Sequence, residues 1–332
     1  RFGRPRLAFL VNAGNIDSMV AHYTAAKRLR SEDMYSPGGV FGKRPDRAVT
    51  VYSKLVRKAF GDIPIIIGGV EASLRRFAHY DYWADEVMPS ILVDSGADLL
   101  SFGMGEKQTV LIADRLRNGE SIKDLTDIDG TMFVTDSMEG INALSVPSYS
   151  EVTESKKQYA IACRIEYDEQ DSVRGKRIVQ KHGNKYVVQN KPMAPLSTEE
   201  LDAVYELPYM RYYHPSYEAL GGVPAIKEVE FSITHNRGCF GACNFCALAF
   251  HQGRTVRSRS IKSVVREAEI ITQMPNFKGY IHDVGGPTAN FRYPSCDRQK
   301  EYGVCPNKKC LAPTPCKHLK VDHTEYTDIL SE

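Results

Sequence analysis

Three cysteines, Cys239, Cys243 and Cys246, stand in a Cys-x3-Cys-x2-Cys pattern inside the run Thr234-His-Asn-Arg-Gly-Cys-Phe-Gly-Ala-Cys-Asn-Phe-Cys. Thiolates are the usual ligands of iron-sulfur clusters. Three of them on one short loop can hold three irons of a [4Fe-4S] cubane and leave the fourth iron open for another ligand. Gly238 and Gly241 are expected to give the loop positive φ angles, so that backbone amides approach the cluster sulfurs, and Phe240 and Phe245 to screen it from water. The competing reading is a zinc knuckle or inert buried thiols. Structural zinc takes four ligands, often as two Cys-x2-Cys pairs, and here His251 would have to supply the fourth.

A second set follows as Cys296, Cys305, Cys310 and Cys316, spaced Cys-x8-Cys-x4-Cys-x5-Cys, with His318 and His323 close behind. Four thiols among Pro294, Pro306, Pro313 and Pro315, with little apolar sequence nearby, do not read as core residues. A structural zinc or an auxiliary iron-sulfur cluster would fold such a loop; the alternative is reduced thiols on a long loop. Cys163 stands alone in a strand-like context and reads as a buried small hydrophobe. With no secretory signal pattern at the N-terminus, the eight cysteines read as ligands or reduced thiols rather than disulfides.

These residues need elements to position them. Residues 1 to about 135 alternate short apolar strands (Leu7 to Val11, Ile63 to Ile67, Asp98 to Phe102, Thr131 to Val134) with amphipathic helices, the pattern of an α/β domain with a mostly parallel sheet. Asp46 is expected to cap the first long helix, and Glu106 to Asn118 forms another, closed by Gly119. Ligands of such sheets bind beyond the carboxyl ends of the strands, so Asn12 to Asn15, Gly68 to Ser73 and Gly103 to Glu106 should line one crevice. Residues 136–227 read as a connector, with a hairpin around His182-Gly183-Asn184 and a capping box at Ser197-Thr-Glu-Glu200. From 228 to 332 the order is strand (Val229 to Ile233), cysteine loop, helix from about Ser260, strand (Gly279 to Val284), then Gly285-Gly286-Pro287, with a cysteine-rich loop at 294–323. The aromatic and basic run Arg75 to Trp83 could stack on a nucleobase, but a packed aromatic cluster at the domain edge is the preferred reading.

At 332 residues the chain has room for about two domains, each with its own core. No run approaches the ~18 apolar residues of a membrane span, which makes a cytoplasmic protein the default. A net charge of +2 gives no indication of nucleic-acid binding.

The trio, with an aromatic residue (Phe245) just before its third cysteine, resembles the signature of the radical S-adenosylmethionine (SAM) superfamily. That resemblance implies that Cys239, Cys243 and Cys246 ligate the cluster and that its open iron chelates SAM. Reductive cleavage of SAM would then produce a 5'-deoxyadenosyl radical acting on a substrate not named by the sequence. Gly285-Gly286 would match the backbone motif that meets the SAM amino group, with proline where the superfamily has glutamate. The run His251 to Arg254, with Arg257 and Arg259, could hold the SAM carboxylate or offset the charge of the reduced cluster; a solvated basic face is the alternative. Asp283 reads as a polar strand-end residue. An electron donor such as flavodoxin or ferredoxin would be a partner.

Beyond the trio, nearly the whole chain is similar to YgiQ-type radical SAM proteins. The phrases that carry this are Arg1-Phe-Gly-Arg-Pro-Arg6, Tyr35-Ser-Pro-Gly-Gly39, Gly68-Gly-Val-Glu-Ala-Ser-Leu-Arg-Arg76, His79-Tyr-Asp-Tyr-Trp83, Gly103-Met-Gly-Glu106, the cysteine run, Gly285-Gly-Pro-Thr-Ala-Asn290 and the Cys296 to Cys316 spacing. The resemblance implies an α/β domain followed by a partial (β/α) barrel, in a fragment lacking both ends of the family's length. The amino-terminal domain also looks distantly like cobalamin-binding modules, but no Asp-x-His-x-x-Gly motif for cobalt is present. The rival reading is a non-catalytic iron-sulfur or zinc protein that transfers electrons or binds a partner. A tRNA-modifying radical enzyme is a third, which would co-purify RNA.

Overall fold

The computed structural model describes residues 3–286, 289–307 and 309–332, and the chain divides into two compact units, residues 1–30 with 44–194 and residues 31–43 with 195–332. In the first unit the apolar runs become β1 (Phe9–Val11), β2 (Ile65–Ile67), β5 (Leu99–Ser101) and β6 (Thr131–Thr135), with the hairpin β3 (His79–Asp81) and β4 (Glu86–Met88) between β2 and β5. Helices α1 (Ser18–His22), α2 (Ala48–Phe60), α3 (Gly69–Leu74), α4 (Ile91–Ser95) and α5 (Glu106–Arg117) join them. β7 (Leu144–Val146), followed by α6 (Tyr149–Glu154) and α7 (Lys156–Asp168), and then β8 (Ile178–His182) and β9 (Lys185–Gln189) complete, among the described residues, a seven-stranded sheet in the order β1-β2-β5-β6-β9-β8-β7.

β1, β2 and β5 pair in parallel. The triple isoleucine of β2 shows why: Ile65 and Ile67 enter one core and Ile66 the core on the opposite face, the burial of an inner parallel strand. From β5 the pairing turns antiparallel through β6, β9 and β8. The stretch 136–227, expected as a connector, is therefore divided. Its hairpin satisfies the open edge of β6 and belongs to the first unit, and the second unit resumes only at Pro195.

The run Gly68 to Arg76 proves to be mainly structural. Glu71, 1% exposed, accepts from Ser18 N at 2.9 Å, Ser18 Oγ at 2.6 Å and Val49 N at 3.1 Å, stapling α1 and α2 to α3. Asp46 does not cap α2. Its carboxylate lies 2.6 Å from His22 Nδ1 and accepts from Tyr23 OH at 2.8 Å, while Ser18 Oγ and Glu71 meet the first amides of α2. Arg76 is buried and bonds to Gln189 Oε1 at 2.7 Å, Ser73 O at 2.6 Å and Gln170 Oε1 at 2.6 Å. The three post-strand segments do meet, closely packed. A Cβ on Gly69 would lie 3.2 Å from Asn12 Cβ, and Gly103 N donates to Ser73 Oγ at 3.1 Å. Trp83 packs edge-on to Tyr82 at 5.8 Å and near Tyr23 at 6.4 Å, the packed aromatic cluster the run suggested.

Glu71→Ala is expected to lower the stability of this unit by roughly 3 kcal/mol, because each buried donor left without its acceptor costs about 1–3 kcal/mol. Urea denaturation followed by the fluorescence of Trp83, the single tryptophan, reads this unit directly. An unshifted midpoint would show that the staple contributes nothing net.

Cys163 departs from its expected setting. It lies on helix α7, not a strand, and is exposed, because the buried position beside it on that helix is Ala162. Among the described residues no helix is long and apolar enough to cross a membrane.

The second unit contains α8 (Thr198–Tyr205), opened by the Ser197/Glu200 capping box as its sequence requires, then β10 (Ser232–Thr234), β11 (Asn236–Arg237), α9 (Leu248–Gln252), β12 (Arg257–Ser258), α10 (Ile261–Thr272), β13 (Asp283–Gly285), α11 (Gln299–Tyr302) and α12 (Thr324–Ser331). β10 and β13 pair in parallel with α10 between them, a single strand-helix-strand unit. Both strands are shorter than expected and begin later: turn bonding continues to Ser232, whose N donates to Val229 O at 3.2 Å, and Gly279 turns at φ +91°. Phe231, Ile233, Val264, Ile271 and Ile329 form the core of this unit. Residues 31–43 belong to it through Gly38 N to Gly222 O at 2.7 Å and Ala225 N to Met34 O at 2.9 Å.

Candidate metal centre

The register of one strand pair organises the site. Thr234 and Gly285 are paired at the carboxyl ends of β10 and β13, so the cysteine loop and Gly285-Gly286 leave adjacent strands at the same edge. His235 N donates to Gly285 O at 2.9 Å, extending the pairing by one step. This is the edge at which ligands of parallel α/β structures collect.

The loop is closed at its base by β11 pairing antiparallel with β12. Cys239 N donates to Gly253 O at 3.2 Å and Gly238 N to Gln252 Oε1 at 3.1 Å. Gly238 is left-handed, with φ +79°, and a Cβ there would stand 2.2 Å from Thr255 O, so no other residue fits. Gly241 does not take the positive φ expected of it; Ala242 does, at +49°. A Cβ on Gly241 would stand in ordinary contact, 3.4 Å from Cys239 Sγ and 3.7 Å from Cys243 Sγ, so the two sulfurs share a cradle beside this residue. Cys246 follows at one turn, its N donating to Cys243 O at 3.0 Å.

Among the described residues no three His, Cys, Asp or Glu side chains converge as ligands of a single metal ion. A cubane asks for something different, three thiolates on three separate irons. The shared cradle at Gly241 suits that demand. Phe240 is buried and stacks on Phe291 at 3.9 Å, forming a wall, whereas Phe245 is 91% exposed and screens nothing. A short flanking turn leaves Phe245 no core to enter.

The glycine pair is held without side chains. Positions for Cβ atoms on Gly285 and Gly286 lie 2.8 Å from Asp283 Oδ1 and 2.2 Å from Asn236 Oδ1. Asn290 Oδ1 accepts from Gly286 N at 2.9 Å, Asn290 Nδ2 donates to Tyr326 OH at 3.0 Å, and Tyr326 OH donates to Val284 O at 2.9 Å. Pro287 and Thr288 lie outside the described residues. Asn236 and Tyr326 were not singled out in the sequence. Asn236 follows directly on an apolar strand, which was the available signal. Its Oδ1 is buried and has no hydrogen-bond partner among the described residues, an acceptor next to Gly286 that an ammonium group would satisfy.

The basic run is divided in its duties. Arg259, 1% exposed, is committed to Glu267, donates to Thr234 O at 3.0 Å and lies 4.3 Å over the Tyr205 ring, so it braces α10 and does not face a ligand. Arg254 donates to Cys305 O at 3.0 Å, tying the trio loop to the second cysteine set. His235 is fully buried, and burial first, then the Arg292 guanidinium, holds its pKa down at about 4, so the ring is neutral at pH 7. In the second set, Cys310 Sγ lies 3.2 Å from Ser295 Oγ. Burial raises the Cys310 thiol, and the neighbouring Cys296 and Cys305 thiols act in the same direction.

Residues 1–232 match the family model described as Radical SAM N-terminal. A UPF0313 protein of Clostridium botulinum (strain 657 / Type Ba4) is 57% identical over 333 aligned residues, covering 100% of this chain and 52% of the relative. A UPF0313 protein of Clostridium perfringens (strain ATCC 13124) is 57% identical over 332 residues, covering 99% and 50%. The chain thus spans about half the length of the curated relatives it matches. Among solved structures, radical S-adenosylmethionine methyltransferase TsrM from Kitasatospora setae, with tryptophan substrate and the SAM analog aza-SAM bound, is 16% identical at a TM-score of 0.36, covering 73% of this chain and 33% of that one. The same enzyme with cobalamin and [4Fe-4S] cluster bound gives 17% and 0.33.

Proposed function

This chain belongs to the YgiQ-type family of radical SAM proteins, and from that premise we propose that Cys239, Cys243 and Cys246 hold a [4Fe-4S] cluster and that the edge formed by Gly285-Gly286 and Asn236 receives SAM. The observation that carries the reading is the register of β10 with β13, which brings the cysteine loop and the glycine pair together at one strand edge. Bound there, cluster and SAM would supply one-electron reductive cleavage to methionine and a 5'-deoxyadenosyl radical that takes hydrogen from a substrate.

The chain's own residues do the positioning. Gly241 leaves the space between the Cys239 and Cys243 sulfurs open, and Gly238 lets the loop turn back onto Thr255. Gly285 and Gly286 keep the backbone approachable, and Asn236 Oδ1 offers an acceptor to the SAM amino group. Phe240 against Phe291 excludes water from one side. An external one-electron donor such as flavodoxin or ferredoxin completes the cycle.

Full-length protein, reconstituted anaerobically with iron and sulfide and given dithionite and SAM, is expected to form 5'-deoxyadenosine. A reconstituted protein that yields none would be an electron carrier or binding protein instead.

A further inference from the structure

We propose that Tyr326 is a positioning residue for SAM: its hydroxyl, acting through Asn290, fixes the glycine edge at which the cofactor is received. The assignment rests on the SAM reading above and adds to it what holds that edge in place. Gly285 and Gly286 have no side chains with which to anchor themselves, and glycine has more backbone freedom than any other residue. His235 N to Gly285 O, at 2.9 Å, closes the main-chain pairing of the two strands, and Gly286 N donates to a side chain instead, Asn290 Oδ1 at 2.9 Å.

That bond sets the rest of the path. With Oδ1 facing the Gly286 amide, Asn290 Nδ2 needs an acceptor and finds it at Tyr326 OH, 3.0 Å away, while the hydroxyl gives its own proton to Val284 O at 2.9 Å. The path leaves β13 at Gly286 and returns to it at Val284, and Tyr326 is its member from another element, α12. The same turn orients Asn236. Its Nδ2 donates to Ala289 O at 3.3 Å, beside Asn290, which leaves Oδ1 as the buried acceptor next to Gly286.

α12 is itself seated firmly enough to serve as the anchor. Ile329, one turn on from Tyr326 and so on the same face, is buried in the core with Val264 and Ile271. Glu325 accepts from Arg292 Nη2 at 2.7 Å, and Arg292, its side chain fully buried, also donates to His235 O at 3.2 Å and Arg259 O at 2.7 Å. Consecutive residues of one helix therefore reach both sides of the edge, Glu325 the end of β10 through Arg292 and Tyr326 the end of β13 directly. The Tyr326 ring packs against the His235 ring at 5.1 Å, a contact that does not need the hydroxyl. Tyr326→Phe keeps that packing and removes the two hydrogen bonds, and a binding edge that is no longer held in advance binds less tightly.

Reconstituted full-length Tyr326→Phe is expected to lose about fivefold in equilibrium affinity for SAM in the oxidised state, the scale of one hydrogen bond, with the iron content of the wild type. Tyr302→Phe, at an exposed tyrosine of α11, should bind SAM as the wild type does. Asn290→Ala reaches the same path from its other end and should lose SAM affinity at least as far. Because Tyr326 acts through Asn290, adding Tyr326→Phe to Asn290→Ala should cost nothing further, whereas two independent structural defects would add. Amide hydrogen exchange without SAM gives a separate reading, with Gly286 expected to exchange faster in Tyr326→Phe. Wild-type affinity or an unchanged Gly286 exchange rate in Tyr326→Phe, or full additivity with Asn290→Ala, overturns the assignment and leaves the SAM reading standing. Wild-type protein that carries its cluster and binds no SAM overturns both.

Discussion

Cys243→Ala is expected to leave reconstituted full-length protein without the brown chromophore of the trio's cluster, while the unfolding of the first unit is unchanged. The sulfur of this middle cysteine and that of Cys239 both lie beside Gly241, 3.7 Å and 3.4 Å from the Cβ position there. With two thiolates left, only two of the four irons of a cubane keep protein ligation, and cluster assembly fails outright. Residues 1–30 and 44–194 form a separate compact unit containing Trp83, so its urea transition should superimpose on that of the wild type. A trio chromophore of wild-type intensity in Cys243→Ala would remove this residue from the ligand set.

Gly286→Ala is the sharper probe of the cofactor. The added Cβ would stand 2.2 Å from Asn236 Oδ1 and 2.7 Å from Ala289 O, well inside van der Waals contact, so one of these must shift. Asn236 is anchored by Nδ2 to Ala289 O at 3.3 Å and Gly286 N by Asn290, which makes the shift a displacement of the whole edge. The expected outcome is a loss of at least tenfold in SAM affinity, about 1.4 kcal/mol, with the iron content of the wild type. Equilibrium binding of SAM to the oxidised protein measures it. Gly238→Ala serves as the contrast: with φ +79° and Thr255 O at 2.2 Å from the new Cβ, it should lose the cluster itself. Unchanged SAM binding by Gly286→Ala would place the cofactor elsewhere.

Much of the architecture was legible from local signals. The apolar triplet of β2, the Ser197/Glu200 capping box and the Gly183-Asn184 hairpin turn each specify their own conformation through side-chain burial, a cap hydrogen bond or a left-handed glycine. The proposal for the trio rests on residue type and spacing, which are local. The uses of the basic run were not legible. Arg254 and Arg259 have the same side chain and stand five positions apart, yet one holds the carbonyl of a cysteine far along the chain and the other is buried on Glu267. Asp46 looked like a cap because it precedes a helix, but its carboxylate is drawn to His22 and Tyr23.

From sequence alone came the α/β class and the family likeness, because each depends on residue type at short range. Tertiary structure alone decided which partners those residues meet. Main-chain hydrogen bonding to an otherwise open edge of β6 took the hairpin of the supposed connector into the first sheet. Residues 31–43 joined a unit whose remainder begins at Pro195. The pairing of Thr234 with Gly285 brought the cysteine loop beside the glycine pair. Such long-range pairings are selected by the burial of apolar faces and the satisfaction of backbone donors and acceptors over the entire chain, and no local window of sequence contains that information.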